Sequence, residues 1–235
     1  MEGRSVSKLG GTCAILVGIS YVFVGIFHTL SPMEHRISSG PELFLPAIAS
    51  GFSFSTLVGW SFALGALCAL AAIPAIADQF RELDHEWIDW MRNLALLGYA
   101  ITAVNEFTIF VSWPSIATAY VEGEAAIRAA LAAQPLLPLD PQGWLLYGAV
   151  GAFVFVVSFL ALRSEALPKP LSYIGLAAGM MFWLALLGFI LDSETLISIG
   201  AGLGAVILVP IWYIWVGLRL RRTEPVQAAR PAPAV

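Results

Sequence analysis

One acid stands inside an apolar run. In Tyr99-Ala-Ile-Thr-Ala-Val-Asn-Glu-Phe-Thr-Ile-Phe-Val111, Asn105 and Glu106 interrupt a segment otherwise fit to cross a bilayer. An ionisable group at membrane depth is costly, so its presence marks a candidate site. A carboxyl shielded from water suits a general acid or base acting on a lipophilic substrate. Asn105 and Trp113 are placed to orient such a substrate, and His28 and Asp192 are the side chains able to assist Glu106. The competing expectation is that Glu106 is held neutral, or paired with His28, as a link between helices.

His28, Glu34 and His35 offer two imidazoles and a carboxylate within eight residues. Closed by Glu106 or Asp192, they would make an open zinc-type shell. Their spacing matches no ligand signature, so no metal is expected, and the two histidines read as interfacial residues bonded to loop backbone. Glu34 and His35 remain candidates for contacting a ligand at the same end, with Glu42 in the same loop and Glu194 on the same side by topology. Asp84-His-Glu, with Asp78, Glu82 and Asp89, reads as a solvated helix face. Ion or proton conduction would need ionisable groups spread through the bundle, and the central parts of the other spans carry none. A phosphate-binding glycine loop, a dinucleotide fingerprint, Cys-x-x-Cys and a Gly-x-Ser-x-Gly elbow are all missing from the sequence. The only lysines, Lys8 and Lys169, sit at span ends, which excludes a retinal-type Schiff base. Only His28 approaches membrane depth, so haem ligation is not expected either. No cofactor is expected.

These residues must be positioned by membrane helices. Of 235 residues, 59% are hydrophobic and only 12% charged, the balance of a membrane chain and not of a soluble domain. Six runs reach the roughly 20 apolar residues that a helix needs to cross the hydrocarbon. They are Gly10–Leu30, Gly51–Ala77, Met91–Trp113, Gly143–Leu162, Leu171–Leu191 and Leu196–Leu218. Backbone groups in lipid must be satisfied internally, so an all-α bundle of six transmembrane helices in one domain (1–222) is expected. A barrel would show alternating strands of about ten residues. The proline-rich remainder, 223–235, reads as a disordered tail.

Arg4, Lys8, Arg81, Arg92, Arg163, Lys169, Arg219, Arg221, Arg222 and Arg230 all fall on one side of this layout, against Arg36 and Arg128 on the other. The positive-inside rule puts both termini in the cytoplasm of a multi-pass protein of the bacterial inner (plasma) membrane. The first run outlasts a signal-peptide core and no cleavage site follows it, so it reads as an uncleaved span. Cys13 and Cys68 read as inert buried thiols. The basic residues form no patch for nucleic acid; the lipid bilayer is the expected partner.

Between the spans, Ser31–Ser50 with its three prolines reads as extended pieces and turns. Pro114–Gln142 reads as a long loop with a short surface helix and a proline-rich stretch, Gln134–Pro141. Either loop could pack over the bundle as a lid. Asp78–Arg92 places Phe80, Leu83, Trp87 and Trp90 at the spacing of a short interfacial helix. Gly51, Ser55 and Gly59 recur every four residues, as do Gly175 with Gly179 and Gly200 with Gly204. Such faces seal helices together within the chain, or bind a membrane-protein partner or a second copy.

Gly18-Ile-Ser-Tyr-Val-Phe-Val-Gly25, Leu167-Pro-Lys-Pro-Leu-Ser-Tyr-Ile-Gly175 and Pro210-Ile-Trp-Tyr-Ile-Trp-Val-Gly-Leu-Arg-Leu220 carry a resemblance. The layout resembles the small bacterial six-helix membrane proteins grouped among the domains of unknown function. The resemblance implies location and fold and no catalytic residue. The leading expectation is a non-catalytic accessory or binding subunit that holds a small lipophilic molecule. The alternatives are a membrane-embedded enzyme using Glu106 as acid or base, and a small transporter or channel subunit.

Overall fold

The computed structural model describes residues 2–36, 39–51, 54–133 and 139–222. Among these residues all the regular secondary structure is helical, with no strand. The expected tail, 223–235, and most of the proline-rich stretch before Leu139 lie outside the described residues.

Six helices are long and apolar enough to cross a membrane. The first is α1 (Glu2–Leu30), and the second is α3 (Phe54–Phe80). The third, α4 (His85–Glu122), is the longest. The fourth begins with a π turn at Trp144–Ala149 and continues as α6 (Val150–Arg163). The fifth is α7 (Lys169–Ile190). The sixth runs from α8 (Glu194–Ile199) through a π stretch (Gly200–Leu208) into α9 (Val209–Arg222). Two short helices, α2 (Pro41–Ala49) and α5 (Ala125–Ala133), belong to the connections. Leu, Ile and Phe side chains stand exposed all around this bundle, among them Leu16, Phe23, Leu67, Leu97, Phe159, Leu187 and Ile211. A surface that apolar suits contact with lipid tails and not with water.

The long helices close a ring in chain order. α1 packs on α3, α3 on α4, α4 on α6, α6 on α7, and α7 on the π stretch and α9, which returns to α1. Both the start of α1 and the end of α9 lie at one end of the bundle, called proximal here: Gly11 meets Gly217 and Arg221 there. The opposite, distal end carries α2 and α5.

Lipid tails are as apolar as leucine, so close packing and buried hydrogen bonds hold such helices together. Gly175 shows how tight the packing is: a Cβ there would stand 1.9 Å from Ser158 Oγ and 2.5 Å from Trp212 Nε1. Gly59, Gly179, Gly200 and Gly204 likewise sit in seams within the chain, whereas Gly51 has nothing near where its Cβ would point. In the middle of the ring, Tyr99 and Tyr213 are fully buried and share a 3.0 Å hydrogen bond between their hydroxyls. Tyr21 is buried in the same core cluster.

Three connections differ from the sequence expectation. Ser31–Ser50 contains α2, which starts with Pro41 after Gly40 at φ +85° and buries Phe44 and Leu45. A proline in the first turn gives up no helical hydrogen bond, so it starts this helix without breaking it. Asp78–Arg92 is two helix ends: Phe80 closes α3 in a buried position, and Asp84 starts α4 by accepting a hydrogen bond from Trp87 N–H at 3.2 Å. Trp87 and Trp90 keep the expected exposure on the first turns of α4. Finally, α4 does not stop at Trp113. It continues through Pro114 to Glu122, 38 residues in all, about 57 Å at 1.5 Å per residue. Trp113, Ile116, Ala117 and Tyr120 pack on Phe44 and Leu45 of α2, and that packing offsets the backbone bond lost at the proline.

Candidate functional site

Glu106 lies on the face of α4 that meets α3, and Gly59 is the residue that admits it. Oε2 of Glu106 comes within 2.9 Å of where a Cβ on Gly59 would be, and the edge of Phe110 comes within 3.0 Å of the same point. Any larger residue at 59 would displace both. The carboxyl is partly buried. Among the described residues, no side chain donates a hydrogen bond to it and no base forms an ion pair with it.

Its surroundings are aromatic. Phe107 and Phe110 flank Glu106 on α4, and Trp60 follows Gly59 on α3. Trp60 stacks on Phe110 with ring centres 4.5 Å apart, and meets Phe107 edge-on at 6.5 Å. Phe107 and Phe110 complete the triangle at 6.3 Å. Trp60 remains 46% exposed and Phe107 41% exposed on the outside of the bundle. The acid therefore sits at the base of an open aromatic wall.

The site is near the distal rim. Gly59 is about one and a half turns from the first residue of α3, Phe54. Asn105, next to Glu106, accepts a 3.3 Å hydrogen bond from the backbone N–H of Leu139, so the connection after α5 folds back to this level. One residue on, Asp140 caps the next span, its carboxylate accepting from Trp144, Leu145 and Leu146 N–H at 2.8–3.1 Å.

The other candidates are dispersed. Trp113 is in the α2–α4 contact, edge-on to Phe44 at 4.9 Å. His28 is exposed near the end of α1 and forms no hydrogen bond or ion pair with Glu106. Glu34 is exposed in the short turn Met33–His35. The carbonyl of His35 accepts a hydrogen bond from Ser55 Oγ, its ring lies edge-on to Phe54 at 6.4 Å, and its Nδ1 is buried without a partner. Asp192 is exposed in the α7–α8 turn with a left-handed backbone, φ +52°. Helices α7 and α8 pack on each other and on the fourth and sixth spans. Among the described residues no three of His, Cys, Asp and Glu gather closely enough to hold a metal ion. Cys13 and Cys68 are both free, and they are half-buried where the sequence suggested burial.

Sequence reasoning found the acid and the glycine separately but missed the aromatic wall. Phe107 and Phe110 follow Glu106 by one and four residues, so the second shares its face; Trp60 follows Gly59. Only the α3–α4 register joins the two sets. The tyrosine cluster was missed as well, although Tyr99 precedes Glu106 by seven residues, two turns along the same face.

Searches against protein-family models, curated proteins and solved structures found no match for this chain.

Proposed function

We propose that this chain is a multi-pass protein of the bacterial inner membrane that holds a small lipophilic molecule against the distal end of the α3–α4 seam. Both termini face the cytoplasm, as the distribution of Lys and Arg indicates, so the site opens to the outer leaflet. The observation that carries the reading is the Glu106 carboxyl, without a partner among the described residues, seated over Gly59 beneath the exposed Trp60–Phe107–Phe110 wall. A polar group left without a partner at an apolar surface is costly, and a ligand supplying that partner removes the cost. The reading is binding: His28 and Asp192, the side chains expected to assist Glu106 in acid–base chemistry, form no hydrogen bond or ion pair with it.

The test is photoaffinity labelling of the purified protein in lipid nanodiscs with an alkyl diazirine probe. Labelled peptides should come from the distal turns of α3 and from α4 around Glu106, and excess unlabelled lipophile should compete. Labelling spread evenly over the exposed helix faces, without competition, would remove the site.

A further inference from the structure

The site's chemistry also selects its ligand. Building on that reading of a lipophile site, we infer that the preferred ligand is an amphiphile with an ammonium head. The head would lie between the Glu106 carboxylate and the ring faces of Trp60 and Phe107, and the tail along the exposed side of α4.

Charge complementarity supports this choice. Glu106 has no cationic partner among the described residues. Of the bases at this end, Arg36 is committed through Nε and Nη2 to the carbonyl of Ser31, at 3.1 and 3.0 Å. Arg128 is exposed on α5, and His28 is exposed on α1. An ammonium therefore supplies what the protein leaves out. An ammonium head favours the ionised form of Glu106, against which a carboxylate or phosphate monoester head would be repelled, and an alcohol would give one hydrogen bond without a charge.

The aromatic geometry supports it independently. A cation over the face of Trp, or of Phe, within about 6 Å of the ring centre is attracted by the ring quadrupole, most strongly when water is excluded. Trp60 stacks on Phe110 on one side and leaves much of its surface open, and Phe107 stands nearly perpendicular to it, at 86°. Two ring surfaces at a right angle beside a carboxylate form half of a cage for a rounded cation. The apolar tail has a track: Val104, Phe107 and Val111 succeed one another at spacings of three and four, so they line one exposed stripe of α4.

Two sources share this chemistry, a free alkylamine and an ethanolamine-type lipid headgroup. The experiment uses the full-length protein in detergent, with dodecylamine, dodecyltrimethylammonium, dodecanol and dodecanoate as probes, and native mass spectrometry as the readout. Both ammonium probes should bind at least about tenfold more tightly than dodecanol, a modest difference for a charge-assisted contact beside aromatic rings. Glu106→Gln should erase that preference, bringing the two ammonium probes down to the level of dodecanol. Trp60→Leu should weaken dodecyltrimethylammonium most. Equal binding of ammonium and alcohol probes, untouched by Glu106→Gln, would overturn the ammonium inference and leave the lipophile site standing. Failure of every probe to bind would overturn both. For the source, nanodiscs of phosphatidylethanolamine and of phosphatidylglycerol are compared. Ethanolamine lipid retained by the wild type and lost from Glu106→Gln identifies a headgroup. Dodecylamine binding without such retention identifies a free amphiphile. In either case the head is an ammonium.

Discussion

Glu106 on α4 and Gly59 on α3 are complementary in shape: the carboxylate oxygen occupies space that a side chain at 59 would need, with 2.9 Å between Oε2 and the missing Cβ. The acid is thus held at the helix seam by a residue chosen for its lack of a side chain. Gly59→Ala should push the carboxyl and the Phe110 ring outward, because both are flexible side-chain ends and the backbone is not in the way. The expected result is a stability loss at the low end of the roughly 1–3 kcal/mol typical of overpacking, with lipophile binding reduced more than stability. Thermal unfolding in detergent alongside probe binding checks this, and unchanged binding would mean that the carboxyl position does not matter.

The buried tyrosine pair gives a second prediction. Tyr99→Phe or Tyr213→Phe alone leaves one hydroxyl without its 3.0 Å partner in the interior, costing about 1–3 kcal/mol. The double substitution should cost less than the sum of the two, because the orphaned hydroxyl goes as well. A double-mutant cycle on unfolding in mixed detergent reads the coupling, and strict additivity would show that the bond contributes nothing.

At the proximal side of the core, Ser158 Oγ, Ser172 Oγ and Trp212 Nε1 are buried without hydrogen-bond partners among the described residues, and two of them crowd Gly175. Ser158→Ala removes an unsatisfied group and should be neutral or mildly stabilising. Gly175→Ala should be among the most damaging single changes, since 1.9 Å to Ser158 Oγ forces helices α6 and α7 apart. Ser158→Ala in the Gly175→Ala background should recover part of the loss. Melting temperatures of the three variants decide it; a Gly175→Ala protein as stable as wild type would contradict the packing described.

Asp140 collects three backbone N–H groups at the start of the fourth span. Asp140→Ala should cost about 0.5–2 kcal/mol, the range for losing a helix cap. It should also speed hydrogen exchange at Trp144, Leu145 and Leu146 while leaving α9 unaffected. Exchange mass spectrometry gives both numbers at once.

Orientation can be checked without a ligand. Ser193→Cys, in the α7–α8 turn, should react with an impermeant maleimide added outside intact cells, and Ser164→Cys, at the end of α6, should react only after lysis. The reverse pattern would invert the topology.

The number of long helices and their order were legible in the sequence because each apolar run is long enough to stand on its own. Their ends were less legible. Pro114 reads as a stop, yet α4 passes through it because α2 supplies Phe44 and Leu45 as packing partners. Asp78–Arg92 reads as one amphipathic helix, yet the Asp84 cap divides it. In both places a contact from elsewhere, or a single capping bond, outweighed local propensity.

The amino-acid order by itself determined that this chain is helical, apolar on its outside and marked by an acid at 106, since burial pattern and charge placement are properties of composition along one dimension. The tertiary structure decided which neighbours that acid would have. Phe107 and Phe110 stand beside Glu106 by helical spacing alone; only the register between α3 and α4, with Gly59 leaving room for the Glu106 and Phe110 side chains, brought Trp60 to them, while Trp113 met Phe44 of α2 and His28 and Asp192 stayed exposed.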